Sequence, residues 1–335
     1  MKDRPVTVRP LTRRKALTVL ASAAAMPLAG VARADPAMPE LEWNGHALGG
    51  RARIVIRHQE RETVQRLLGH CVREIARLEA VFSLYRPHSE LSRVNRDGRL
   101  AAPSLDMRLV MAEARRFGTI SGGAFDVTVQ PLWRLHADHF AGRKRRDGPP
   151  PGRLEAAARL VDYRGIDLDN AGIALARPGM AATLNGIAQG YITDRIADLL
   201  RDSGMTGVLV DLGEIRTLHA PGDPPWRIGI EDPRDPGGIA TAMTLQGAAL
   251  ATSGGYGMAF DPEGRFHHLF DPATGRSAAR CLSASAVARD ATTADALATA
   301  LAIAGPDRAQ ALLTAFDGSR ARLTLPDGTA QEYIA

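Results

Sequence analysis

The chain has 335 residues, of which 45% are hydrophobic, 24% charged and 5% aromatic, a composition typical of globular proteins. It excludes the disordered, collagen-like and disulfide-scaffold classes, and the length suffices for one large domain or two smaller ones. The net charge of +5 arises at the N-terminus, where residues 1–34 hold seven basic residues and one acid. The remaining chain has 35 basic and 36 acidic residues, and this balance argues against a nucleic-acid partner.

The first 34 residues have the layout of an export signal. The stretch 12–17 reads T-R-R-K-A-L, an apolar run without acids follows to Gly30, and V-A-R-A precedes Asp35 as a small-x-small cleavage site. We therefore predict a twin-arginine signal peptide over 1–34, a mature chain over 35–335 and a periplasmic location. The apolar run is too short to span a membrane, and no transmembrane span is predicted in the mature chain.

The first half of the mature chain predicts one strand and two helices. Residues 35–43 contain prolines and predict a loose lead-in, whereas R-A-R-I-V-I-R at 51–57 alternates as a strand does. Apolar residues at helical spacing predict one helix over Glu60–Val81 and another over about Ser104–Ile120. The stretch 141–152 combines charges with Pro and Gly, so it predicts a surface loop or an internal domain boundary.

The second half mixes helices and strands without strict βαβ alternation. A helix is predicted over Ile187–Arg201, and a buried strand follows at 207–213. Residues 281–289 predict a strand that leads into an Ala-rich helix over Thr293–Ala304, and 321–334 predicts a hairpin with Asp-Gly at its turn. We therefore expect an α+β fold of mixed, largely antiparallel sheets with packed helices.

Two segments of the first half suit a flat heteroaromatic ligand with polar edges. Residues 82–95 place Tyr85 among hydroxyls, an acid and an amide, and S-G-G-A-F-D-V-T-V at 121–129 exposes backbone around Phe125 and Asp126. Taken singly, Tyr85 and Phe125 also fit the role of core aromatics.

Three segments of the second half suit a phosphate and a metal ion. Two glycines frame a helix start within 183–191, and such a start can present backbone groups to a phosphate or a cation. His267 and His268 precede a Pro- and Gly-containing turn. Asp295 and Thr299 lie four residues apart on one helix face, where a carboxylate and a hydroxyl offer two hard oxygen ligands to Mg²⁺.

In combination these motifs resemble the ApbE family of Mg²⁺-dependent FAD:protein FMN transferases, from about Ala47 to Gly305. Seven motifs of the family pattern have counterparts in this chain, in the same order. They are S-x-Y-x-x-x-S-E-L-x-x-x-N at 83–95, G-A-F-D-x-T-V at 123–129, I-A-K-G-Y-x-x-D at 187–194, L-G-G at 212–213, A-T-S-G at 251–254, H-x-x-D-P-x-T-G at 268–275 and A-D-A-L-A-T at 294–299. The twin-arginine leader, I-A-Q-G-Y and D-L-G-E further resemble the NosX branch, accessory proteins of nitrous oxide reduction. The implied acceptor is a membrane flavoprotein of that system, similar to NosR.

The resemblance implies a role for individual residues. Asp295 and Thr299 would bind Mg²⁺ through their side chains, and Gly186 and Ala298 through their carbonyl oxygens. His268 falls on the catalytic histidine that activates an acceptor Thr. The positions implied to contact FAD are Tyr85, Ala124, Phe125, Asp126, Thr183, Gln189 and Leu269.

The chain departs from the family pattern at four positions. Thr183 replaces the usual Asp, Gln189 replaces the Lys, Leu48 replaces a Met near the first strand, and Glu214 follows Leu212-Gly213 where the family has L-G-G. These changes alter local charge but keep the implied metal ligands, so we expect FAD binding to persist with changed affinity.

The expected function is Mg²⁺-dependent transfer of FMN from FAD to a Thr hydroxyl of an exported or membrane-bound flavoprotein, with release of AMP. Two alternatives use the same site. One is a non-catalytic periplasmic FAD carrier or assembly factor, and the other is an Mg²⁺-dependent FAD pyrophosphatase in which water replaces the Thr.

Overall fold

The computed structural model of the protein describes residues 39–47, 49–142 and 146–335. The predicted signal peptide, Leu48 and part of the predicted loop at 141–152 lie outside the described residues. The described helices are α1 (Arg61–Phe82), α2 (Glu90–Asp97), α3 (Leu105–Ile120), α4 (Gln130–Phe140), α5 (Pro151–Ala158), α6 (Ala188–Asp202), α7 (Ala291–Ala304) and α8 (Pro306–Leu313). The described strands are β1 (Glu40–Ala47), β2 (Gly50–Arg57), β3 (Arg99–Ala101), β4 (Ile166–Asp169), β5 (Gly172–Leu175), β6 (Val208–Asp211), β7 (Ile215–Leu218), β8 (Trp226–Asp232), β9 (Asp235–Leu245), β10 (Ala249–Gly254), β11 (Ser283–Ala288), β12 (Arg320–Thr324) and β13 (Ala330–Ile334).

The strands form three antiparallel sheets. The largest has eight strands in the order β1-β2-β6-β7-β10-β11-β12-β13, and each of its pairs is antiparallel. A three-stranded sheet has the order β3-β5-β4, and β8 pairs with β9 as a long hairpin. This architecture confirms the predicted α+β class with largely antiparallel sheets and packed helices.

Helix α7 lies at the centre of the molecule because its side chains are small. Ala294, Ala298 and Leu301 are fully buried, and the helix packs on β10, β11 and α6. The side chain of Asp290 caps its start by accepting a hydrogen bond from the Thr293 N–H at 2.8 Å. A helix made largely of alanines approaches its neighbours closely, so residues on its cavity-facing side come near the ends of adjacent strands.

The longest periodic patterns predicted the structure best, and one prediction fails. Helices α1 and α3 lie within one residue of the predicted ranges. The lead-in predicted for 35–43 is wrong for its described part, because β1 begins at Glu40 and pairs along its length with β2. Its alternating exposure is that of an edge strand. Residues 146–150 lie outside helices and strands, and α5 begins at Pro151.

Within the part of the chain that the structure describes, no helix is long and apolar enough to cross a membrane.

Candidate active site

Most of the predicted site residues meet at one cavity, which we call the central cavity. It lies between one side of α7, the end of β10 and the segments that precede α4 and α6, and its volume is about 100 Å³. Eight of the twelve predicted residues line it: Phe125, Asp126, Thr183, Gly186, His268, Leu269, Asp295 and Thr299.

Tyr85 lies instead in an adjoining depression, which we call the outer groove. This groove has a volume of about 460 Å³, and it shares Trp133 and Asn185 with the central cavity. Tyr85 is 46% exposed, so the alternative interpretation, in which Tyr85 is an aromatic residue of the core, is wrong. A narrow cavity beside a wider groove suits an extended ligand rather than a compact one.

A tight turn after α3 brings Phe125 and Asp126 to the cavity. Gly122 and Gly123 adopt φ values of 57° and 84°, a left-handed conformation that favours glycine. The Phe125 N–H then donates to Ser121 Oγ at 2.9 Å. The neighbouring Ala124 is buried below this surface, 7% exposed, and its side chain does not line the cavity.

The Asp126 carboxylate is occupied by the protein itself. It accepts hydrogen bonds from the N–H and Oγ1 of Thr128 at 2.8 and 2.6 Å and from the Tyr163 N–H at 2.8 Å. Burial raises the pKa of this carboxyl, and the hydrogen bonds oppose the rise. Asp126 therefore stiffens the loop that carries Phe125.

Asp295 and Thr299 present two oxygen ligands from α7. Asp295 is 3% exposed, and its Oδ2 accepts a hydrogen bond from the Gly190 N–H at 3.0 Å. Thr299 Oγ1 lies 3.0 Å from Ser253 Oγ, and a Cβ on Gly186 would lie 3.0 Å from the same atom. Burial raises the pKa of Asp295 to about 8. The fourth predicted ligand, Ala298, is fully buried in α7 and its side chain does not line the cavity.

Glu214, which follows Leu212-Gly213 where the family has L-G-G, adds a second buried carboxylate that the sequence did not predict as a site residue. It is 2% exposed and lines the central cavity, and its Oε2 atom has no hydrogen-bond partner among the described residues. Burial raises its pKa well above the usual range, and the negative charges of Asp295 and Asp211 add to the rise. An ionised carboxylate in this position needs a positive charge beside it.

The donor set of the central cavity therefore fits a divalent cation such as Mg²⁺. Two carboxylates and a hydroxyl are hard oxygen donors, and the unpartnered Glu214 oxygen is the type of atom that a metal ion satisfies. The described residues contain no group of three or more His, Cys, Asp or Glu side chains placed to hold a metal. Neutral oxygens and the ligand would thus have to complete the coordination shell.

His268 is placed to act as a base toward the cavity. Its Nδ1 lies 3.1 Å from the Met258 carbonyl oxygen, so the proton sits on Nδ1 and Nε2 keeps its lone pair. Burial lowers the pKa of His268 to about 4, an effect that the Met258 hydrogen bond opposes. The imidazole is therefore neutral at physiological pH, as proton acceptance requires.

His267 is buried beside His268 and has a different role. It is only 9% exposed, its Nε2 lies 2.8 Å from the Ala278 carbonyl oxygen, and its Nδ1 accepts from the Leu269 N–H at 3.3 Å. The ring thus crosslinks two backbone segments, and this bracing holds His268 and Leu269 against the cavity.

Thr183 and Gln189 lie in different environments. The Thr183 N–H donates to the Val127 carbonyl oxygen at 2.7 Å, and the residue lines the cavity. Gln189 lies on α6, 3% exposed and outside the cavity lining, and its Nε2 donates to the Leu212 carbonyl oxygen at 3.1 Å. Gln189 is therefore placed to support the β6–β7 turn that carries Glu214.

The chain belongs to the ApbE family, whose sequence model matches residues 48–323. Among curated relatives, the FAD:protein FMN transferase of Treponema pallidum is 33% identical over 276 residues, 74% of this chain and 74% of that protein. The FAD:protein FMN transferase of Vibrio cholerae is 33% identical over 261 residues, 76% of this chain and 78% of that protein.

Solved structures agree with this assignment. The ApbE protein of Thermotoga maritima superimposes with a TM-score of 0.78 at 29% identity, covering 88% of this chain and 97% of that one. The flavin transferase ApbE of Vibrio cholerae gives a TM-score of 0.73 at 27% identity, covering 89% and 97% respectively.

Proposed function

We propose that this protein transfers FMN from FAD to a threonine hydroxyl of an exported or membrane-bound flavoprotein and releases AMP. The observation that carries the proposal is the meeting of His268, Asp295 and Thr299 at one cavity, although they come from segments far apart in the chain. Several curated relatives of this chain are FAD:protein FMN transferases by name.

The central cavity and the outer groove together suit FAD. The buried carboxylates and Thr299 mark the end at which a cation and the pyrophosphate would lie, whereas Tyr85 and Trp133 offer aromatic surfaces in the groove. Asn185 lies between the two and can hold a polar part of the ligand. Leu269 and Phe125 supply apolar walls.

His268 would take the proton of the acceptor. As the threonine oxygen forms a bond to the FMN phosphorus, the pyrophosphate P–O bond breaks, AMP leaves with the electron pair, and the hydroxyl proton passes to Nε2 of His268. Asp295, Thr299 and the Gly186 carbonyl oxygen would hold Mg²⁺, which neutralises charge on the pyrophosphate when bound. The protein contributes chiefly position, a dry cavity and a proton acceptor.

The proposed acceptor and the proposed compartment are supported by the sequence alone. The leader over 1–34 supports twin-arginine export to the periplasm, a route that carries folded proteins. Gln189 and Glu214, together with the leader, support the NosX-like branch, and hence a NosR-like membrane flavoprotein of nitrous oxide reduction as the acceptor.

One experiment separates the proposal from its alternatives. The protein is incubated with FAD, Mg²⁺ and a candidate acceptor domain, and the products are analysed by mass spectrometry. Transfer predicts an acceptor heavier by one FMN, attached at a Thr, together with free AMP. Free FMN and AMP with an unmodified acceptor would indicate a pyrophosphatase, and bound but intact FAD would indicate a carrier.

A further inference from the structure

We propose that Glu214 is a direct ligand of the divalent cation, so that the metal site contains two carboxylates rather than one. The inference rests on the proposed function, because it concerns the cation that the transfer reaction uses. It adds to the site a residue that follows β6 and lies far from α7 in the sequence.

The Glu214 side chain is buried, and one of its oxygens lacks a partner among the described residues. Nearly the whole residue is withdrawn from water, its Oε2 has no partner in the described structure, and it lines the same cavity as Asp295 and Thr299. Burying a carboxylate oxygen without a donor is unfavourable, because the oxygen loses its hydration, unless a proton or a cation satisfies it. A bound cation would satisfy Glu214 and Asp295 at once.

Glu214 is also connected to α7 through the end of β10. The Thr252 N–H donates a hydrogen bond to the Glu214 carboxylate, and the neighbouring Ser253 Oγ lies 3.0 Å from Thr299 Oγ1. Glu214 and Thr299 therefore contact adjacent residues of one strand end, and both line the cavity that Asp295 lines. The charged groups that act on Glu214 are Asp295 and Asp211, both of them acids.

The net charge of the metal site distinguishes a site with one carboxylate ligand from a site with two. With Asp295 alone, a divalent cation keeps a net positive charge, and the FAD pyrophosphate must complete its neutralisation. With Glu214 as well, the protein balances the cation before FAD arrives. The free protein should therefore bind the metal alone, and FAD should bind to a preformed site.

The test is metal binding by the full chain without flavin. Mn²⁺ serves as the probe, and the signal of free Mn²⁺ in electron paramagnetic resonance reports the unbound fraction; titration calorimetry with Mg²⁺ gives an independent value. Glu214→Gln should weaken binding about tenfold or more, because one anionic ligand becomes neutral. Added FAD should restore much of the affinity of this variant, since its pyrophosphate supplies the missing charge.

Asp211→Asn is the matched control. Asp211 also has a pKa raised by burial, to about 6, but it does not line the cavity and its Oδ1 accepts from the Gly213 N–H at 3.2 Å. If Glu214 acted only through its charge, the two substitutions would weaken Mn²⁺ binding to a similar extent. As a ligand, Glu214 predicts a small change, under about threefold, for Asp211→Asn.

Wild-type affinity for Mn²⁺ in Glu214→Gln would overturn the inference. Asp295→Asn distinguishes this result from a failure of the proposed function: if it weakens binding while Glu214→Gln does not, only the role of Glu214 is wrong. If neither substitution weakens binding, the metal site itself is wrong. Glu214→Asp, which keeps the charge but withdraws it by one methylene, should bind with intermediate affinity and covers the case in which Glu214→Gln does not fold.

Discussion

At the residue scale, neighbouring side chains of the same type have separate tasks. His267 and His268 are adjacent in sequence, yet one crosslinks backbone segments and the other faces the cavity with a free ring nitrogen. Asp126 and Asp295 are both buried, but Asp126 is hydrogen-bonded to its own loop, whereas Asp295 lines the central cavity together with Thr299 and Glu214. Residue type alone does not reveal these differences, because hydrogen-bond partners decide them.

His268→Ala should separate catalysis from binding. The variant should bind FAD nearly as the wild type does, because the cation ligands and the groove remain, but it should lose about 10²- to 10⁴-fold in transfer rate. Fluorescence titration measures the first quantity and mass spectrometry of the acceptor measures the second. His70, exposed on α1, is the control, and His70→Ala should leave both unchanged. Equal transfer by wild type and His268→Ala would refute the role of general base.

The pH dependence of transfer tests the same residue without mutation. Because the pKa of His268 is lowered from 6.5 to about 4, the imidazole stays neutral, and able to accept a proton, across the physiological range. We expect His268 to contribute no inflection to kcat/KM between about pH 8 and about pH 5.5 and to lower it only in more acidic solution. The unfolded chain binds this proton at higher pH, so His268 also makes the protein less stable as pH falls from 6.5 toward 4. A wild-type inflection near 6.5 that His268→Ala abolishes would contradict a buried, neutral histidine.

At the element scale, the site depends on how closely α6 approaches the start of α7. Asp194 on α6 accepts hydrogen bonds from the N–H groups of Ala291 and Thr292, both at 2.8 Å, and it pairs with Arg216 at 2.5 Å. Acidic groups at a helix N-terminus are favourable, so this contact fixes the position of α7. Asp295 and Thr299 are placed by the same contact, because they extend from that helix.

Gly190 permits the close approach of α6 to α7 because it has no side chain, and a substitution at this position tests whether the site depends on that approach. A Cβ at position 190 would lie 2.2 Å from the Ala291 carbonyl oxygen, and Gly190 also donates its N–H to Asp295. Gly190→Ala should force α6 from α7, lower the free energy of unfolding by ~1–3 kcal/mol and weaken Mn²⁺ binding. Denaturant titration and the Mn²⁺ assay measure the two effects.

Gly69→Ala is the control for that substitution. Gly69 lies within α1, where the nearest atom to an added Cβ is the end of the Arg73 side chain at 3.6 Å. Removing a glycine from a helix interior should stabilise the protein by ~0.5–1 kcal/mol, with metal binding unchanged. If Gly190→Ala behaved like Gly69→Ala, the close approach would not matter to the site.

The elements also explain which parts of the fold the sequence could predict. Helices α1 and α3 have several turns of apolar spacing, and their ranges were predicted closely. Helix α2 has only eight residues, too few for a periodic signal, and β1 is an edge strand that alternates beside a proline. The place of Glu214 in the site could not be predicted from the sequence, because its proximity to Asp295 depends on tertiary packing that no local pattern encodes.

At the scale of the whole molecule, one cavity collects residues from four of the five segments that the sequence singled out for ligand or metal binding, namely 121–129, 183–191, 267–275 and 294–299, whereas Tyr85 lies outside it. The helix α7 packs on β10 and β11, the loop after α3 closes one side, and the segment around His268 closes another. Such a site exists only in the folded chain, since its parts come from positions 125 to 303. Loading of FAD or of the cation therefore requires folding first, and this order bears on the proposed export route.

The proposed twin-arginine route can be tested at the arginine pair of the predicted leader. The twin-arginine pathway exports folded proteins, whereas the general secretory route carries unfolded chains, so only the first would allow a site loaded in the cytoplasm. Replacing Arg13 and Arg14 by Lys should leave a precursor in the cytoplasm, because the guanidinium pair differs from two ammonium groups in geometry and hydrogen bonding. Replacing Arg4 and Arg9 by Lys keeps the same charge outside the pair and should leave export intact. Cell fractionation and immunoblotting measure both, and equal periplasmic amounts of the Arg13/Arg14 variant and the wild type would indicate the general secretory route instead.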